Sequence, residues 1–273
     1  MKSYLSEGFK LVKRHFLIVI FLFLYQLLWG VLLYKVVSSA VIPLLMRYPD
    51  PPPHELSQIL FWLEGQISLS TSSTVHEYVW LLVLMFILRM LITPLIRAGL
   101  FHSLHEESST KGFSFFRGTL KHWKKTSLLY LIEIILLLLP AYWILPKVLP
   151  ILMNAVYNQN LLLQAAPYVI LWIVYAYIIK QLLLYVQFGL TGNRSGLGAV
   201  WICLRHALPV TGVALTLSTL AILLFSAFTA VSLIWTGLLA LILQQSYHLV
   251  RSLINVWKIS SQFSIWRSNS EDA

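Results

Sequence analysis

The chain has 273 residues, 58% hydrophobic and only 11% charged, and its mean hydropathy is +0.77. Soluble globular domains are about one quarter charged, so this composition excludes that class and indicates a polytopic membrane protein. The net charge of +10 would suggest nucleic acid in a soluble chain, but here it is read as loop placement; the single cysteine, Cys203, excludes internal disulfides and a cysteine zinc site.

In chain order, Lys2, Lys10, Lys13 and Arg14 precede a first apolar run over 16–37. At about 22 residues it exceeds the roughly 7–15 of a signal-peptide core, so it is read as a retained helix, with a bacterial cytoplasmic membrane as the expected home. An external connector over 38–77 follows, containing RYPDPPPH (47–54), whose three consecutive prolines forbid regular helix. Within it, ELSQILFWLEGQIS (55–68) places Leu56, Ile59, Leu60 and Leu63 on one face, which predicts a short helix on the outer leaflet or capping the bundle. Further spans are predicted at 78–101, 127–147, 167–189, 208–229 and 233–255, the last two as a tight hairpin, and residues 262–273 as a disordered tail. The predicted fold is all-α with six transmembrane helices, because lipid offers the backbone no hydrogen-bond partners.

Orientation follows from basic residues. The N-terminal segment, the 102–126 loop (Lys111, Arg117, Lys121, Lys124, Lys125), the 190–207 loop (Arg194, Arg205) and the tail (Lys258, Arg267) carry them on one side. The other side has mainly Arg47 and Lys147, with Lys35 at the rim, so both termini are expected in the cytoplasm. Trp29, Trp80, Trp143, Trp172 and Trp235 fall near the outer helix ends, where amphipathic rings settle.

Three similar segments precede the first, third and fifth spans: EGFKLVKRHF (7–16), FRGTLKHWKK (116–125) and GAVWICLRHA (198–207). Each has helically spaced apolar residues and a basic–histidine pair: Arg14 with His15, Lys121 with His122, Arg205 with His206. These predict interfacial elbow helices whose pairs anchor the chain at the bilayer surface against anionic headgroups. The chain then divides into a pseudo-threefold repeat of an elbow plus two spans, with units near 1–101, 112–190 and 196–258. His102 and His105, with Glu106 adjacent, have a chelating spacing but no marked third ligand, so no metal and no cofactor is expected.

Inside the spans lie Arg89 and Arg97 on the second, Glu133 on the third and Lys180 on the fourth. A cation near a helix centre costs about 2.5–3.5 kcal/mol on the insertion scale, so these groups are expected to face a shared polar interior. Glu133 is expected to pair with one arginine, and the sixth span adds Gln244 and His248. The resulting candidate substrate-binding set is Arg89, Arg97, Glu133, Lys180, Gln244 and His248. With two central cations for one acid, it suits an anion; the bland reading is a self-satisfied network holding the helices together. Pro94, Pro140 and Pro146 are positions where helix backbone can open.

Catalytic signatures (HExxH, GxSxG, a phosphate-binding GxxxxGK[ST]) are absent from the sequence, and TGNRSGLG (191–198) follows a membrane helix rather than a strand. No enzymatic activity is expected, and any energy would come from a gradient or a separate ATPase subunit.

The elbow-plus-two-spans repeat, together with the helix-terminal phrases IRAGLF (96–101) and VQFGLTG (186–192), resembles a loose group of bacterial six-helix membrane families. Related modules form the membrane half of some glycerophosphodiester phosphodiesterases. The resemblance spans nearly the whole chain and implies a fold; the soluble phosphodiesterase domain is missing, so that activity does not carry over. The first elbow also resembles exporter-type ABC permeases, which do not ordinarily repeat it three times. The expected function is a permease-like protein handling an anionic or amphiphilic small molecule or lipid. The alternative is a non-transporting accessory subunit that docks a membrane or ATPase partner.

Overall fold

The computed structural model describes residues 2–45, 73–106, 113–155, 162–192, 194–234 and 238–270. Among them the chain is all helix: α1 (Lys2–Arg14), α2 (Phe16–Leu45), α3 (Ser73–His105), α4 (Phe113–Leu138), α5 (Ala141–Ala155), α6 (Leu162–Thr191), α7 (Gly196–Arg205), α8 (Ala207–Ile234) and α9 (Leu238–Ser270). The proline-rich run and the 55–68 helix predicted in the external connector lie outside the described residues. Four stretches are long and apolar enough to cross a membrane: Phe16–Ser39, His76–His105, Leu163–Thr191 and Ala207–Ser232. A fifth forms if Ser114–Leu138 and Ala141–Ile151, bent by 43°, are one span. The fold is that of a multi-pass membrane protein.

The chain forms two compact units, one of residues 21–93 and one of 1–20 with 94–273. In the first, the Tyr25 hydroxyl meets Thr93 Oγ1 at 3.0 Å, and Thr93 in turn donates to the Arg89 carbonyl at 2.6 Å, so α2 and α3 share a polar contact within apolar helices.

Helix joints in the second unit are short. His15 alone separates α1 from α2, and its carbonyl accepts from Ile18 N at 2.9 Å. His206 alone separates α7 from α8 and accepts from Val210 N at 3.1 Å. The second predicted elbow differs: Lys121 and His122 lie inside α4, which runs unbroken from Phe113 to Leu138. Nothing in FRGTLKHWKKTSLLYL forbids continuation, since it holds no proline and its one glycine is packed rather than kinked.

The third predicted span, by contrast, breaks at Leu139–Pro140. Proline has no N–H to give the carbonyl one turn back, which is that of Leu136, and the bend also strips Leu137. Both acceptors are satisfied from α6: Tyr175 Oη donates to Leu136 O at 3.0 Å and Trp172 Nε1 to Leu137 O at 3.1 Å. Pro140 therefore opens the backbone toward a neighbouring helix, and the freed carbonyls are occupied. Beyond the bend, Ile144 and Val148 of α5 pack on Ala165, with Tyr168 and Trp172 alongside.

The best-buried part of the second unit is where α1, the C-terminal half of α9, and the ends of α3 and α6 meet. Phe101, Tyr185, Phe188, Phe263, Ile265 and Trp266 are all buried there. Phe188 lies 5.4 Å from Phe101 and 5.5 Å from Phe263, centroid to centroid, and His105 sits 4.8 Å from Phe263 and 5.3 Å from Trp266. Such edge-to-face pairs contribute about 0.5–1.5 kcal/mol each beyond the area they bury. The tail expected to be disordered from 262 is thus helical to Ser270 and central to the core. Its serines help to explain the difference: Ser264 Oγ donates to Ser260 O, Ser268 Oγ to Ile265 O and Ser270 Oγ to Arg267 O, so these hydroxyls are satisfied by their own helix.

α1 runs along this half of α9. Trp257 Nε1 donates to Leu5 O at 2.9 Å and the Phe9 and Trp257 rings lie 5.1 Å apart. Between them Gly8 crosses Ser261 so closely that a Cβ on Gly8 would fall 2.7 Å from the Ser261 Cα. Ending the chain after Ser261 is expected to remove the monodisperse, cooperatively melting protein in detergent. Trp266→Ala should cost about 3–5 kcal/mol of stability by leaving a cavity, and Gly8→Leu should prevent α1 from docking. A truncated chain melting like the wild type would contradict this packing.

Candidate functional site

Glu133 is paired. Arg97 Nη1 donates to Glu133 Oε2 at 2.6 Å, joining α3 to α4. The guanidinium also lies 5.1 Å from the centre of the Tyr130 ring, one turn from Glu133 on the same face of α4. The carboxylate is buried and Arg97 is one-third exposed, so the cation keeps part of its hydration while neutralising the acid. This pair holds two helices together and leaves no unmatched charge.

The other candidates are described in turn. Arg89 belongs to the unit of residues 21–93, where it is exposed on α3 among the exposed Trp80, Leu84, Phe86 and Leu91. Lys180 is exposed on α6, and its charge acts on a residue that span prediction placed beyond the membrane, Lys258 of α9. Lys258 Nζ donates to Ser218 Oγ of α8 at 3.1 Å, and burial, reinforced by the Lys180 charge, pulls the Lys258 ammonium below its ordinary range. So α8 and α9 bring an ammonium and a hydroxyl into contact, with Lys180 of α6 within electrostatic range. His248 is half-buried earlier on α9, its carbonyl accepting from Ser252 Oγ; the Gln244 side chain lies outside the described residues.

The basic–histidine pairs have separate fates. Arg14 and Arg205 are exposed and His15 and His206 half-buried at their joints. Burial, reinforced by Arg14, pushes the His15 imidazole below its ordinary range, so this corner takes its charge from the arginine. Lys121 is exposed, but His122 is buried, its ring 5.3 Å from that of His102, and so is a packing residue rather than an interfacial anchor. Here Gly118 lets α4 cross α3, since a Cβ on it would lie 2.3 Å from the Cβ of His102. His102 Nε2 stands 3.8 Å from Glu106 Oε2, whereas His105 Nδ1 is 2.8 Å from Phe101 O among the aromatic rings. Among the described residues no group of three or more His, Cys, Asp or Glu side chains is arranged to hold a metal ion. Cys203 is buried in α7, which pushes its thiol up to about 11.

Lys258 was missed because the apolar run falters near 255. The signal was present as the stripe Val256, Ile259, Phe263 and Trp266, which continues the helix at the proper period. Comparison with known proteins gives no matching family model, no matching curated protein and no matching solved structure.

Two outcomes check this geometry. Glu133→Leu should strand Arg97 and lower thermal stability by up to about 3–5 kcal/mol, and adding Arg97→Leu should restore most of it; a double variant no better than the single would show the pair to be uncoupled. A maleimide should fail to label Cys203 in the native protein at neutral pH and label it on unfolding, and rapid native labelling would contradict its burial.

Proposed function

We propose that the chain is a non-enzymatic, permease-like protein of the cytoplasmic membrane that receives an anionic amphiphile at Lys180 and Lys258. The observation that carries this reading is that Lys258, hydrogen-bonded to Ser218, lies within electrostatic range of Lys180, while the acid Glu133 is committed to Arg97. Like charges brought together in a low-dielectric region raise each other's energy, and an anionic group bound between them removes that repulsion. The apolar part of the ligand has a surface to follow: Leu171, Ile173, Val174 and Ile178 of α6 are exposed on the approach to Lys180.

The architecture proposed around this site has six spans in three two-span units, the first and third opening on a separate elbow helix and the second on the start of α4, both termini in the cytoplasm. The lysine and arginine bias supports the orientation. The repeat is supported by three crossings of one kind, each putting a helix that precedes an odd-numbered span onto the end of an even-numbered one. α1 crosses α9 at Gly8 and Ser261; the start of α4 crosses α3 where a Cβ on Gly99 would lie 2.7 Å from the Phe115 ring; α7 crosses α6 where one on Gly189 would lie 3.0 Å from Ala199 Cβ. IRAGLF and VQFGLTG thus carry their glycines at the point of closest approach.

A second reading, an accessory subunit, is favoured by Arg89. An arginine exposed on an apolar face costs about 2.5–3.5 kcal/mol near mid-membrane unless something answers it, and an acid on a partner's helix would do so.

Lys180→Leu/Lys258→Leu in nanodiscs separates the two. The proposed function predicts loss of oleate and lysophosphatidylglycerol binding with melting unchanged, while Arg89→Leu binds both normally. Wild-type binding by the double lysine variant would overturn it. Loss of a co-purifying membrane protein from Arg89→Leu alone would establish the accessory role.

A further inference from the structure

The end of α3 and the start of α4 bring three imidazoles to one corner. His122 of α4 is buried, with its ring 5.3 Å from that of His102. His105 lies almost one turn along α3 from His102, its Nδ1 2.8 Å from Phe101 O and its ring against Phe263 and Trp266 of α9. His102 Nε2 and Glu106 Oε2 stand 3.8 Å apart, both buried and neither with a hydrogen-bond partner.

The two helices are tied here by uncharged groups. Ser114 Oγ donates to Ser103 Oγ at 3.3 Å, and Thr119 Oγ1 donates to Leu95 O at 3.3 Å. A Cβ on Gly118 would collide with the Cβ of His102, so the crossing has no slack. The charges that act on the three rings are lopsided. Arg117, Lys121 and Lys125 come from α4 and Arg267 from α9, against the carboxylate of Glu106 on α3; the end of α6 contributes the uncharged Phe188 and Gly192.

A neutral imidazole packs as an aromatic body, whereas an imidazolium must be answered by an anion or by water. Glu106 can answer one. Protonating both His102 and His122 would set two cationic rings 5.3 Å apart in a lining that is already positive. Moving the start of α4 away admits the water that relieves them.

We propose that this corner is a pH-sensitive joint, in which protonation of His102 and His122 releases the start of α4, over 113–122, from the end of α3. The Arg97–Glu133 pair, farther along both helices, stays closed, so the change is a local parting. It is separate from the Lys180–Lys258 site and does not depend on it. The parted state solvates its histidines and takes up protons near their ordinary value, about pH 6.5. Docking is therefore complete above that range and weakens as pH falls through it, by up to about tenfold per pH unit for each proton taken up. Protonation of Glu106 at lower pH acts in the same direction, because it removes the carboxylate charge.

The test is hydrogen–deuterium exchange over 113–122 in the full chain in phosphatidylcholine nanodiscs, one pH unit above and one below about 6.5, corrected for the intrinsic rate at each pH. Protection should fall about tenfold or more at the lower pH and return on neutralisation, while 207–232 is unchanged. His102→Phe/His122→Phe keeps the bulk of both rings and should hold its protection at both values. His122→Phe alone should lose most of the response, which keeps the test open if the double variant fails to fold. His15→Gln and His248→Gln remove histidines from other places and should respond as wild type. Wild-type protection that ignores pH, an equal loss over 207–232, or a full response retained by His122→Phe or by the double variant would each overturn the proposal.

Discussion

The second unit depends on the docking of α9 beyond the end of its predicted span. Val256, Phe263, Ile265 and Trp266 are buried there, and the Ser261 backbone is approached so closely by α1 that only glycine fits at position 8. In lipid the spans gain little from burying apolar surface against each other, because the acyl chains are equally apolar, so close packing and hydrogen bonds must decide the arrangement. The structure places much of that packing at the ends of the spans, where α1, α3, α6 and α9 converge on the Phe101, Phe188, Phe263 and Trp266 rings. Within the most apolar stretch of α6 only 6% is buried, which leaves a large face to lipid or a ligand.

Ionic groups follow from that arrangement. Arg97 and Glu133 neutralise each other between α3 and α4, so they serve the fold. Lys180 and Lys258 have the opposite character: the docking of α9 against α6 and α8 buries Lys258 within electrostatic range of a like charge, and it donates to the Ser218 hydroxyl. A protein retains such a repulsive arrangement most readily where an incoming anion relieves it. The proposed anion site uses α9 through Lys258 and so inherits its position.

Much of this was legible in the residues. Apolar runs long enough to span lipid located α2, α3, α6 and α8 closely, and Glu133 was recognised as the partner of an arginine. The basic–histidine pairs marked two real joints, at His15 and His206, but the same dipeptide at Lys121–His122 sits inside a continuous helix, because a two-residue motif carries no information about whether the backbone must turn. The end of α9 escaped because serine counts as polar in any hydropathy window, although Ser264 and Ser268 return their hydroxyls to their own helix carbonyls. Hydropathy could not place Lys258 either, since a lysine at the apparent edge of a span reads as a boundary charge whichever way its stem points.

Hydrogen–deuterium exchange over residues 256–270 in nanodiscs probes the docked helix most directly. A packed α9 predicts amides there protected as strongly as those of the spans, with protection lost on replacing Gly8 by a bulky residue. Exchange at the rate of an unstructured tail would contradict it, and the positions assigned to Lys258 and Arg267 would fall with it.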